Sequence, residues 1–153
     1  MEIRSLYISA GHNFFGHHGH PAGTHPMIET AELQCRAGKG ICGDRFFGHK
    51  ENYRGQITFF SAETYEEICR AFPGVQKPPS VFRRNVILAD DDLKRRIGTE
   101  FELQGVRFRG TEECAPCHWM DGAWAPGAHE FLRGRGGLRA VILSDGALRV
   151  GAA

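Results

Sequence analysis

Long apolar runs are missing from this 153-residue chain. No stretch approaches the roughly 18 apolar residues of a membrane-spanning helix, and no charged N-terminal region leads into an apolar run as a secretory leader would. An excess of charge of one sign is missing too. The 19 Lys and Arg against 18 Asp and Glu leave a net charge of +1, which offers no general attraction to nucleic acid or to an anionic membrane. Lysine is scarce: Lys39, Lys50, Lys77 and Lys94 are the only four, and the other fifteen basic residues are arginines. Arginine's planar fork suits bidentate binding of phosphate and carboxylate, so the bias is either compositional or a sign of bound anions. Regular cysteine spacing is also lacking, since the five cysteines are odd in number and irregularly placed. The expected setting is cytoplasmic, where thiols stay reduced and a close cysteine pair reads as metal-binding or catalytic rather than structural.

Glycine is plentiful, at 20 residues, and points to many turns rather than long helices. The length predicts a single domain over residues 1–153, large enough to bury about 68–70% of its unfolded surface without a disulfide or metal staple. Two hairpins follow from register. A turn at Gln104-Gly105 opposes Leu103 to Val106 and Phe101 to Phe108, which puts four apolar side chains on one face. A turn at Asp145-Gly146 opposes Leu143 to Leu148 and Val141 to Val150, and Asp-Gly is a strong type I′ signal. Further strands are expected over 3–8, 28–35, 56–60 and 85–88. Ser61 is placed to cap a helix running to about Phe72, with Ala62, Tyr65, Ile68 and Phe72 on one face. A second helix is expected from the Asp90-Asp91-Asp92 cluster to Gly98, and a third between Pro126 and Gly134. The predicted fold is mainly β, an antiparallel or mixed β-barrel with a few short helices.

Five segments could carry chemistry. Cys114-Ala115-Pro116-Cys117 admits four readings: a redox dithiol, half of a zinc site, two inert buried thiols, or a loop presenting one reactive cysteine. It follows an antiparallel hairpin rather than opening a helix in a βαβ unit, which weighs against a thioredoxin-like context. Five of the eight histidines (His12, His17, His18, His20 and His25) fall within fourteen residues, which could serve a metal, line a pocket or order a Gly-rich loop. Gly40-Ile41-Cys42-Gly43-Asp44-Arg45 can form an anion-binding nest with a cation beside it. Arg83-Arg84-Asn85 and the 133–139 segment each place arginines at the mouth of a strand, where burial without an anion would be costly.

Taken in order, these segments resemble the MOSC family, named for the C-terminal domain of molybdenum-cofactor sulfurase. The landmarks are the 40–45 turn, Arg83-Arg84-Asn85-Val86-Ile87-Leu88 with Asp92-Leu93 and Gly98-x-x-Phe101 behind it, the late Pro116-Cys117, and the final Arg-Gly-Gly-Leu-Arg-Ala strand. They span nearly the whole chain, which is similar to the short stand-alone bacterial members. The resemblance implies a β-barrel that binds the molybdenum cofactor. It makes Cys117 the metal- or sulfur-bearing thiol, with Cys114 as a second catalytic candidate. It makes Gly43, Asp44, Arg45, Arg83, Arg84, Asn85, Arg135, Arg139, His12 and Asn13 candidates for holding the cofactor, whose phosphate suits charge-assisted forks. Candidate metal ligands are Cys117, His17, His18 and His20, a thiolate being suited to a soft, sulfur-rich centre.

The chain departs from other family members in having no pyridoxal-phosphate-dependent desulfurase domain, no second N-terminal barrel, and no iron–sulfur or flavin motif. A reductase of N-oxygenated small molecules would therefore draw electrons from a partner protein. The rival expectations are a sulfur carrier that bears a persulfide on Cys117 and is served by a cysteine desulfurase, and a zinc or thiol-redox protein. Whether the chain is an enzyme is left open between them.

Overall fold

The computed structural model describes residues 1–12, 23–90 and 92–152. Eight strands form one mixed sheet: β1 (Glu2–Ile8), β2 (Ile28–Thr30), β5 (Ile57–Ser61), β6 (Val86–Ala89), β7 (Glu100–Leu103), β8 (Val106–Glu113), β9 (Leu138–Ile142) and β11 (Gly151–Ala152). Their order is β11-β1-β6-β5-β9-β8-β7, with β2 also paired to β1. A second sheet holds β10 (Gly146–Arg149), β3 (Glu32–Arg36) and β4 (Gly40–Ile41), in that order. Among the described strand pairs only β5 and β6 run parallel, with Phe59 opposite Val86. A parallel pair needs a long crossover, supplied here by helix α1 (Ala62–Ala71) and the 3-10 turn Pro79–Phe82.

The α1 boundaries follow the sequence reading. Ser61 Oγ accepts from Thr64 N at 3.1 Å, and the helix ends just before Phe72-Pro73. The helix after the aspartates is a single 3-10 turn, Leu93–Arg96, because Asp90 is otherwise engaged: it accepts from Asp92 N and pairs with Arg96. The expected third helix is short, α3 (Ala128–Phe131). It is preceded by an unforeseen α2 (Trp119–Ala123), the two being separated at Pro126-Gly127, where Gly127 has φ +98°.

The first hairpin has the expected register, Leu103 opposite Val106 and Phe101 opposite Phe108. Its turn residues Gln104 and Gly105 have φ of 50° and 80°, as a type I′ turn requires. The second hairpin is corrected. Neither Asp145 nor Gly146 adopts positive φ, and β10 pairs with β3, Leu148 lying opposite Leu33. The Asp145 carboxylate instead accepts from Ala37 N at 2.8 Å and pairs with Arg36, so the segment crosses to the other sheet. The expected 28–35 strand likewise divides at Ala31 between the two sheets.

One core fills the space between the sheets, around Ile3, Phe59, Val86, Leu88 and Phe108. A second lies under the helices, around Phe60, Ile68, Phe82, Ile87 and Trp124. The fold is mainly β as expected, but among the described residues no ladder joins β7 to β11, and a closed barrel is not observed. The gap is bridged by one side chain: Gln104 Nε2 donates to the Arg149 and Ala152 carbonyls at 2.8 and 3.0 Å. No helix among the described residues is long and apolar enough to cross a membrane.

Candidate functional site

The site is built around the turn that follows β4. Gly40 and Gly43 adopt φ of 126° and 82°, turning the chain so that the Asp44 carboxylate enters the protein. That side chain is wholly buried. Its Oδ1 accepts from Ser9 N at 3.0 Å, Arg45 Nη1 at 3.2 Å and Asn85 Nδ2 at 3.3 Å, and its Oδ2 from Phe46 N at 3.3 Å. Asn85 extends the network: its Oδ1 accepts from Thr58 N and Oγ1 at 3.0 and 2.9 Å, and its Nδ2 also donates to Tyr7 O. The ends of β1, β5 and β6 are thereby tied to one turn.

Above this network lies a cleft of about 160 Å³ whose lining includes Arg45, Arg83, Arg84, Arg139, His12 and Cys114. Arg45 Nη2 donates to the Arg83 carbonyl at 3.2 Å, and its guanidinium lies 4.6 Å from the Phe46 ring centre. Arg83 sits in the left-handed region, with φ +60°. Its head bridges the two ends of the His-rich segment, donating to Ser9 Oγ, Gly11 O and His25 O. Burial pushes the Arg83 pKa down to about 10, and burial lowers that of Arg45 as well. Arg84 is buried and donates to Phe82 O, Gly136 O and Cys114 O at 2.7, 2.9 and 2.9 Å. Arg139 reaches in from β9. Burial opposes its charge, but the nearby Cys114, Tyr53 and Glu112 raise its pKa overall, and its Nη1 donates to Glu112 Oε1 at 3.3 Å.

Four guanidinium groups thus converge on one small cleft, Arg45 paired with Asp44 and Arg139 with Glu112. Burial, then the cations Arg45, His49 and Arg83, hold the His12 pKa below its ordinary value. An aromatic wall completes the rim: the Phe46 ring centre lies 5.0 Å from His12 and 5.2 Å from Tyr53.

Cys114 and Cys117 part company here. Cys114 extends the β8–β9 pairing by donating its N–H to Gly137 O at 2.8 Å, and its side chain is buried at the arginine cleft. Cys117 is exposed beside α2. It lines a neighbouring cleft of about 210 Å³ with Val81, Phe82, Trp119 and Met120. The two clefts share Arg83 and Arg84.

A family model for the MOSC domain matches residues 16–153. The chain belongs to the MOSC domain family. No curated protein matches the sequence. Among solved structures, the YuaD protein from Bacillus subtilis superposes with a TM-score of 0.76 at 20% identity, over 98% of this chain and 91% of that one. A crystal structure described as a hypothetical protein superposes with a TM-score of 0.70 at 17% identity, over 99% of this chain and 66% of that one. Likeness at this identity concerns the fold alone.

In this MOSC domain the structure brings together His12, Arg45, Arg83, Arg84, Arg139 and Cys114 of the residues singled out from sequence. Asp44 and Asn85 stand behind that wall, their polar atoms already engaged within the protein. Gly43 turns the backbone beneath it. Arg135 lies elsewhere, paired with Glu67 and stacked 4.2 Å from the Phe131 ring centre. Asn13, His17, His18 and His20 fall outside the described residues. Among the described residues no group of three or more His, Cys, Asp or Glu is arranged to hold a metal. Sequence reasoning missed Phe46, Tyr53, Gly55 and Thr58. Each comes from a segment whose spacing carries no motif; a Cβ at Gly55 would lie 3.3 Å from the Tyr53 side chain and 3.4 Å from that of Arg139.

Proposed function

We propose that the arginine cleft binds the molybdenum cofactor and that the domain serves reduction of N-oxygenated small molecules. The observation that carries this reading is the convergence of four arginines and a thiol on one cleft. The donor set fits the group: guanidinium forks suit a phosphate dianion, and a cysteine thiolate suits a soft, sulfur-rich metal centre. Arg45 and Arg139 would hold the anionic end. Arg84 fixes the Cys114 backbone, and Arg83 fixes Ser9 and Gly11 beside His12. When bound, the cofactor supplies two-electron chemistry, with electrons drawn from a partner protein. Family resemblance singles out Cys117 as the thiol ligand, but the burial of Cys114 at the arginine cleft favours Cys114.

A second reading rests on the exposure of Cys117: a sulfur carrier receiving sulfane sulfur from a cysteine desulfurase. One anaerobic comparison separates the two, using wild type, Cys114→Ala and Cys117→Ala after transfer of isolated cofactor. The expected result is near-stoichiometric molybdenum in wild type and in Cys117→Ala, with retention reduced more than about tenfold in Cys114→Ala. Loss in Cys117→Ala alone would return the ligand role to Cys117. If no molybdenum binds and Cys117 instead gains about 32 Da as a persulfide, the carrier reading replaces the first.

A further inference from the structure

Among the described residues lining the arginine cleft, His12 is the one imidazole, beside four permanent cations. Its ring packs edge-on against Phe46 at 5.0 Å and lies 6.1 Å from that of His49, centre to centre. The charged and titratable groups around it, among the described residues, come from several segments. Arg45 and the buried Asp44 come from the turn after β4, and His49 and Tyr53 from the loop before β5. Arg83 and Arg84 precede β6, Cys114 follows β8, and Arg139 lies on β9. The His25 ring lies against Gly11 next to it. Only Asp44 in this group favours a charged imidazole, and its carboxylate is already shared among four donors.

A dianion in the cleft reverses that balance. It would place two negative charges among the guanidinium groups that now oppose the imidazolium, and their attraction for the ring falls off slowly in a partly desolvated space. We propose that dianion binding in this cleft is coupled to proton uptake by His12, which turns the imidazole into a fifth cationic group facing the ligand. The inference takes from the proposed function only that the cleft holds a doubly charged anion; it needs neither molybdenum nor a thiol ligand.

The sign follows from linkage. In the free protein His12 titrates below its usual value because of burial and its cationic neighbours, and in the complex it titrates higher. Affinity therefore rises as pH falls through the complex's value and levels off below that of the free protein. Lys or Arg in place of His12 would give constant affinity across this range, so the imidazole makes capture and release of the anion sensitive to pH near neutrality.

Sulfate is a suitable probe because it stays a dianion throughout. In calorimetry between about pH 8 and 5, wild-type affinity for sulfate should rise by up to about tenfold per pH unit. The heat should depend on the buffer's ionisation enthalpy in the way that proton uptake requires. The His12 ring signal in NMR should titrate at higher pH when sulfate is present. His12→Gln should bind sulfate with a flat pH profile and no proton uptake, whereas His49→Gln should keep both. Sulfate binding with the same pH slope in wild type and His12→Gln would overturn the proton link and leave the anion cleft standing. Failure to bind sulfate at any pH would overturn both. Molybdenum loading is scored separately, so failure of the cofactor reading alone leaves the sulfate result intact.

Discussion

Asp44→Ala should cost on the order of 3–5 kcal/mol of folding stability, the range for breaking one partner out of a buried ion pair. In a domain of this size that lowers the melting temperature by roughly 10 °C. The reason is the number of donors left behind. The Arg45 side chain is 7% exposed and loses its counterion. The Ser9 N–H and the Asn85 amide each lose an acceptor in buried surroundings, and the part-buried Phe46 N–H loses one as well. A buried unsatisfied donor costs about 1–3 kcal/mol, so the effects accumulate even if the turn relaxes. Asp44→Asn keeps the shape and one acceptor oxygen and should fall between wild type and Asp44→Ala. Thermal and urea unfolding of the three proteins measure this directly. A loss below about 1 kcal/mol in Asp44→Ala would mean that the network does not organise the cleft.

Gly137→Ala should be nearly as damaging, at about 3 kcal/mol, combining backbone strain with overpacking. Its φ of +113° lies where an L side chain is strained, and an added Cβ would overlap the carbonyl oxygen of Phe59. That carbonyl cannot retreat, because Phe59 is paired with Leu138 on one side and Val86 on the other. Gly74→Ala is the comparison: nothing lies near its Cβ position and its φ is ordinary, so its stability should match wild type. Equal urea midpoints for Gly137→Ala and Gly74→Ala would refute the argument.

Parts of this molecule were legible from local chemistry. The Gln104-Gly105 hairpin, the Ser61 cap and the mainly β content depend on interactions within a few residues, and the structure reproduces all three. The arginine bias pointed to a bound anion, and four of the arginines singled out do line one cleft. The Asp145-Gly146 turn carries an equally strong local signal. It fails because the Asp145 carboxylate has a better partner 108 residues away, at Ala37 N, and a long-range hydrogen bond overrode a local preference.

What the sequence by itself determined is the inventory: the family, strands rather than long helices, arginines in place of lysines, and two thiols three residues apart. Which of them share a space was decided only by the tertiary structure. Arg135 and Arg139 are four residues apart, yet one pairs with Glu67 while the other faces Cys114. Asp44 and Asn85 look like ligands in the sequence and are engaged within the protein in the structure. Cys114 continues the β8–β9 pairing into the cleft while Cys117, past Pro116, lies exposed on the next one. The physical reason is the same each time. Side-chain direction follows from strand pairing and from hydrogen bonds between segments distant in sequence, and neither is encoded in the spacing of residues along the chain.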